Sequence, residues 1–132
     1  MSAHCGCSQV GSTLVALYGD GTIRGKAAYL AFQACVNQAF GCMMPNKSVD
    51  QWYLFYCLEN SYDALRAYSQ GSNQKNLDCQ LLARFQIPVP PKIQQKQAVT
   101  AVRFLDTKLE QLGAHLKIIS TLKFRLLASL LT

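Results

Sequence analysis

No apolar run in this sequence approaches the roughly 18 residues that cross a membrane, although half of its 132 residues are hydrophobic. That hydrophobic content excludes a disordered tail. A chain of this length forms one domain, or one domain with an extension, and can bury roughly 60 to 70% of its unfolded surface. Its start, "MSAHCGCSQVGS", lacks a basic residue ahead of an apolar segment and lacks a cleavage pattern, so a cytoplasmic protein with no membrane association is expected. Histidine is scarce: neither His4 nor His115 is accompanied by a carboxylate and a nucleophile in a recognisable order, so no catalytic residue is assigned. His4, Cys5 and Cys7 offer metal-ligand types, but a second pair at zinc-finger spacing is missing. The six cysteines (Cys5, Cys7, Cys35, Cys42, Cys57, Cys79) therefore read as reduced, mostly buried thiols, and neither metal nor cofactor is expected.

Acidic residues are few, seven against 13 lysines and arginines, and the net charge is +6. The excess is unevenly placed. From Lys92 onward seven cations (Lys92, Lys96, Arg103, Lys108, Lys117, Lys123, Arg125) stand against Asp106 and Glu110, so that segment carries +5 and the remainder +1. This balance suits contact with a polyanion; a solvated helix face whose lysine stems cover apolar surface is the other reading.

Residues 12–18, "STLVALY", are short, apolar and glycine-bounded, which predicts a buried strand; residues 27–32 and 35–44 continue in that style up to Pro45-Asn46. Between Val49 and Ser69, Trp52, Phe55, Tyr56, Leu58, Tyr62, Leu65 and Tyr68 recur at helical spacing, predicting one helix of roughly 20 residues with its aromatic stripe in the core, stopped by Gly71. Asp78 is placed to begin a short helix, and "RFQIPVPP" is an extended edge segment because its prolines cannot donate to a central ladder. From Lys92 to Leu131 proline is absent and Gly113 is the lone glycine, which predicts a helix of about 40 residues, roughly 60 Å long. Val102, Leu105, Leu109, Leu112, Leu116 and Ile119 form a coiled-coil seam along it, faltering at Lys123. The seam either pairs with another helix or packs back on its own domain. The expected fold is thus α+β: a small, mostly antiparallel sheet with one packed helix (residues 1–91), then a long coiled-coil-forming helix (residues 92–132).

The turn "YGDGTIRGK" at residues 18–26 holds three glycines and two cations. Its glycine spacing is one residue too long for a dinucleotide fingerprint, and Ala27 follows Lys26 where a phosphate loop needs a hydroxyl. Glycines in a strand-to-strand connection more simply allow positive φ, leaving Arg24 and Lys26 on a hairpin rim within reach of phosphate oxygens or a guanine edge.

Taken in order, the strand into Tyr18-Gly19-x-Gly21 with Arg24-Gly25-Lys26, the Asn37-Gln38 pair, the Tyr53-Leu54 helix, the loop "GSNQKNL" at residues 71–77 and Ile87-Pro88-x-Pro90-Pro91 resemble the target recognition domain of type I restriction-modification specificity subunits over nearly the whole chain. The resemblance implies a non-catalytic module that reads one half of a split site in double-stranded DNA. It implies a long helix pairing antiparallel with a second such helix and docking the methyltransferase subunit. The sequence departs from the pattern in three respects: eleven residues precede "STLVALY", Gln94-Gln95 stands where Glu-Gln is usual, and one recognition unit and one helix are present, not two of each. A short form pairing with itself as a homodimer, or a truncated fragment acting mainly as a protein-interaction module for methyltransferase or full-length specificity subunits, are the two expectations. Candidate DNA contacts are Tyr18, Thr22, Arg24, Lys26, Asn37, Gln38, Ser72, Asn73, Gln74, Lys75 and Asn76. Each has a plainer reading: surface charge for the cations, turn chemistry for residues 72–76, structural hydrogen bonding for Asn37 and Gln38, core filling for Tyr18. A third class, an enzyme acting on a phosphorylated small molecule, requires a pocket holding Asp20, Lys26 and a histidine.

Overall fold

Residues 6–19, 21–44, 46–70 and 77–131 are described by the computed structural model of the chain. Two compact units emerge, Met1–Lys96 and Gln97–Thr132.

In the first unit β1 (Gly6–Ser8) pairs antiparallel with β4 (Ala34–Val36), while β2 (Thr13–Ala16) lies between β3 (Ala27–Tyr29) and β5 (Phe40–Met43) in an antiparallel three-stranded sheet of order β3-β2-β5. The sheet is antiparallel as expected, but the apolar run of residues 35–44 is two strands, not one. Asn37 turns the chain between them: its Oδ1 accepts the amide of Ala39 at 3.1 Å, a local bond that competes with extension. All four residues of β2 are buried, because the strand has core on both faces. Val15 and Leu17 join Met43, Val49, Leu54, Leu58, Leu65, Leu77 and Leu82 on the helical side; Leu14 joins Leu30 and Cys42 on the other, against Ala34 and Val36 of β4. Gly41 lets α3 (Cys79–Arg84) close on the sheet, since a Cβ there would lie 2.5 Å from Leu82 Cδ2.

The single helix expected over residues 49–69 is two: α1 (Gln51–Asn60) and α2 (Tyr62–Gln70). Ser61 separates them, its amide and hydroxyl both donating to the Cys57 carbonyl, at 3.0 and 2.7 Å. Asp50 caps α1 by accepting the amides of Trp52 and Tyr53 at 3.0 and 3.1 Å, and Asp78 caps α3 through Leu81 at 2.7 Å. The aromatic stripe is not the core of these helices. Leu54, Leu58 and Leu65 are, whereas Trp52, Phe55 and Tyr56 are half-buried and Tyr68 is exposed. Trp52 instead stacks on Tyr29 of β3 with ring centroids 3.8 Å apart, in a cluster completed by Phe55 and Tyr56. Bulky rings with polar tips serve the rim better than the interior here, and leucines fill the centre.

Residues 85–91 are extended but join no ladder among the described residues; Phe85 and Ile87 pack on the core, and the Tyr53 hydroxyl donates to the Pro88 carbonyl at 3.1 Å. The long helix α4 (Lys92–Leu130) begins directly after Pro91, as expected. Its first turn carries Gln95, which is only 1% exposed. Gln95 Oε1 accepts the Asp50 amide at 2.8 Å, and its Nε2 donates to the carbonyls of Pro90 at 2.7 Å and Ser48 at 3.3 Å. One side chain thereby ties the start of α4 to the cap of α1. In the second unit Leu105, Leu109, Leu112, Leu116 and Ile119 are exposed, as are Ile118, Leu122 and Leu126, while Val102 is half-buried. No helix among the described residues is long and apolar enough to cross a membrane.

Among the cysteines whose burial is described only Cys42 is buried; Cys35 is exposed and Cys57 and Cys79 are half-buried, so the expectation of mostly buried thiols is corrected. Burial pushes the Cys57 thiol up, with the neighbouring Tyr53 hydroxyl pulling the other way. Because the thiolate is the reactive form, Cys57 should alkylate several-fold more slowly, on the order of five-fold, in the folded chain than in denaturant near neutral pH. Of Cys35, Cys42, Cys57 and Cys79, Cys35 should be modified first, and mass spectrometry of partly alkylated protein checks the order.

Candidate nucleic-acid interface

The glycine-rich turn joins β2 to β3 through a bulge. Ala16 faces two residues at once, accepting the Gly25 amide at 2.8 Å and donating to the Lys26 carbonyl at 3.0 Å, with Gly25 at φ +87°. Two features favour glycine at position 25. Its φ is left-handed, and a Cβ there would sit 3.2 Å from Arg66 Cγ of α2.

The close approach lets α2 hold the loop. The Tyr62 hydroxyl donates to the Thr22 carbonyl at 2.9 Å, and Arg66 Nη1 donates to the Arg24 carbonyl at 3.1 Å while its guanidinium lies over the Tyr62 ring, 5.3 Å from the centroid. The loop thus leaves the sheet with a fixed shape. Tyr18, Thr22 and Lys26 are exposed, and Arg24 is half-buried.

The β4–β5 turn lies at the same end of the three-stranded sheet, joined to the loop's first residue by the Leu17 amide, which donates to the Ala39 carbonyl at 2.8 Å. Asn37 and Gln38 are exposed there, Asn37 with its side-chain oxygen already committed to the turn. Six of the candidate contacts, Tyr18, Thr22, Arg24, Lys26, Asn37 and Gln38, are therefore brought to one end of the sheet. Ser72, Asn73, Gln74, Lys75 and Asn76 lie outside the described residues.

Beside the loop is a concavity of about 600 Å³ lined by Thr22, Lys26, Ala27, Glu59 and Tyr62. Among the described residues it holds Lys26 and no histidine; Asp20 and His4 of the arrangement considered for an enzyme acting on a phosphorylated small molecule lie outside them. Glu59, Tyr62 and Arg66 are the residues that sequence reasoning missed. Tyr62 was readable only as one step of an apolar stripe; its bond to a carbonyl 40 residues away has no local signature.

A sequence model of the family described as "Type I restriction modification DNA specificity domain" matches residues 11–119. The type I restriction enzyme MjaVIII specificity subunit of Methanocaldococcus jannaschii is 25% identical over 87 residues, which are 66% of this chain and 20% of that protein. Among solved structures, a chain from a study of complex assembly and conformational transition of the type I R-M system aligns with TM-score 0.67 at 16% identity, over 84% of this chain and 26% of that one. The HsdS subunit from Thermoanaerobacter tengcongensis aligns with TM-score 0.56 at 22% identity, over 82% and 24%. The chain thus spans a fifth to a quarter of the length of the proteins it matches, and at these identities the two structures speak to fold alone. With a match running from the buried strand β2 well into α4, the chain belongs to the type I restriction modification DNA specificity domain family.

Proposed function

We propose that this chain is a non-catalytic, sequence-specific recognition module of a type I restriction-modification system in the cytoplasm, which meets double-stranded DNA with the loop between β2 and β3 and pairs with a second copy along α4. One observation carries the DNA reading: a cation-bearing loop clamped by α2 at the same end of the sheet as the Asn37-Gln38 turn, within the span matched to a DNA specificity family. Shape fixed in advance reduces the ordering cost of docking onto a duplex. Residues 1–91 serve as the recognition part and residues 92–132 as the coiled-coil spacer, which pairs through the seam of Val102, Leu105, Leu109, Leu112, Leu116 and Ile119 and also meets the methyltransferase subunit.

Binding to duplex DNA should be strongly salt-dependent. If about four phosphates are neutralised, affinity falls on the order of 100-fold between about 50 and 200 mM salt. Titration of a labelled duplex at several salt concentrations measures the slope. Flat affinity, or no duplex bound at low salt, would end the DNA reading. A second reading is favoured by the exposed apolar residues of α4: an interaction module that binds methyltransferase or full-length specificity subunits with little DNA affinity. Capture of a purified methyltransferase subunit in the absence of DNA binding would select it.

A further inference from the structure

The concavity beside the loop carries two opposite charges. Lys26 extends from the start of β3 and Glu59 from the last turn of α1; both are exposed, both line the same hollow, and neither charged head is engaged by another described side chain. Glu59 gains nothing from its own helix, because a carboxylate at a helix C-terminus faces the negative end of the dipole. On a surface meant for phosphates alone, a carboxylate is a liability, since it repels the backbone and strips nothing from the counterion atmosphere. It becomes an asset where a base presents a hydrogen-bond donor.

We infer that Lys26 and Glu59 together read a G·C base pair: Lys26 donates to the O6 and N7 acceptors of guanine, and Glu59 accepts from the N4 amino group of its cytosine partner. The pattern follows from the major groove itself, where guanine shows acceptors only and cytosine shows its amino donor. An A·T pair puts a donor where Lys26 needs an acceptor and an acceptor where Glu59 needs a donor, so the same two residues also exclude it. Support for the pair comes from α2. Tyr62 forms a wall of the hollow while its hydroxyl holds the Thr22 carbonyl, so the loop backbone at Thr22 is held before any DNA arrives. This inference rests on the DNA-recognition reading above and names what part of that surface reads.

Selection of bound duplexes from a pool with a randomised core tests it, run in parallel on the full chain, on Glu59→Gln and on Lys26→Met. The full chain should enrich duplexes with a G·C pair fixed at one position, preferred over A·T there on the order of ten-fold or more. Glu59→Gln should weaken that preference at that position alone, because the amide can donate to thymine O4 as well as accept from cytosine N4, whereas a carboxylate can only accept. Lys26→Met should lose the preference too. If Glu59→Gln and Lys26→Met enrich the same sequences as the parent, the base-pair assignment is overturned while DNA recognition stands. If the full chain enriches no duplex at all, the recognition reading falls and takes this assignment with it.

Discussion

Gln95→Glu is expected to lower the melting temperature on the order of 15 °C near pH 7, and far less near pH 4. The buried amide it replaces makes three bonds, accepting from the Asp50 amide and donating to the carbonyls of Pro90 and Ser48. An ionised carboxylate keeps the first and turns the other two into acceptor-acceptor contacts in a site that is 1% exposed. Leaving buried acceptors unsatisfied costs about 1–3 kcal/mol each, and burying an unpaired charge adds to that, so a loss of roughly 3–5 kcal/mol follows. The acid form behaves differently, since one protonated oxygen can donate to Pro90 while the other accepts from Asp50. The introduced carboxyl therefore has a folded-state pKa above its unfolded value of about 4.3. Stability is retained below that unfolded value and lost as pH rises through the folded one. Gln95→Leu, which removes every bond without adding charge, should destabilise by a similar amount at all pH values. Thermal melts of the three proteins across pH separate the cases. Superimposable curves for Gln95→Glu and the parent at neutral pH would falsify the clamp.

In the proposed pairing of two copies along α4, Leu109→Lys should raise the dimer dissociation constant on the order of 1000-fold. Leu109 is 66% exposed in the chain alone and lies mid-seam, with Leu105 and Leu112 on either side, also exposed. Burying one leucine is worth roughly 2 kcal/mol, two copies lose it in a symmetric pair, and 1.4 kcal/mol is a factor of ten. Thr121→Lys adds the same charge roughly a third of a turn round the helix, on the arc holding Lys117 and Arg125, and should leave assembly intact. Analytical ultracentrifugation of both variants reads the outcome. Identical sedimentation for Leu109→Lys and parent would show that this seam does not hold two copies together.

The parts of the fold visible in the sequence were those written in local chemistry. Absence of proline after Pro91 marked α4, glycine-bounded apolarity marked β2, and Asp78 marked the start of α3. The break between α1 and α2 was hidden because neither proline nor glycine stands at Ser61 and the helical spacing of apolar residues runs straight through it. Gln95 was hidden for another reason. It was read only as the second residue of a Gln94-Gln95 pair standing where Glu-Gln is usual, yet Gln94 is exposed, and Gln95 bonds a backbone amide 45 residues earlier. The loop cations could be seen; the α2 residues that hold the loop could not, since Tyr62 and Arg66 reach carbonyls 40 and 42 residues away.

Both of those grips fall on main-chain oxygens, at Thr22 and Arg24, and neither requires the side chain that happens to be attached there. These two bonds therefore survive a change of either side chain. On the proposed DNA reading, a loop held by its main chain lets the reading side chains change one codon at a time.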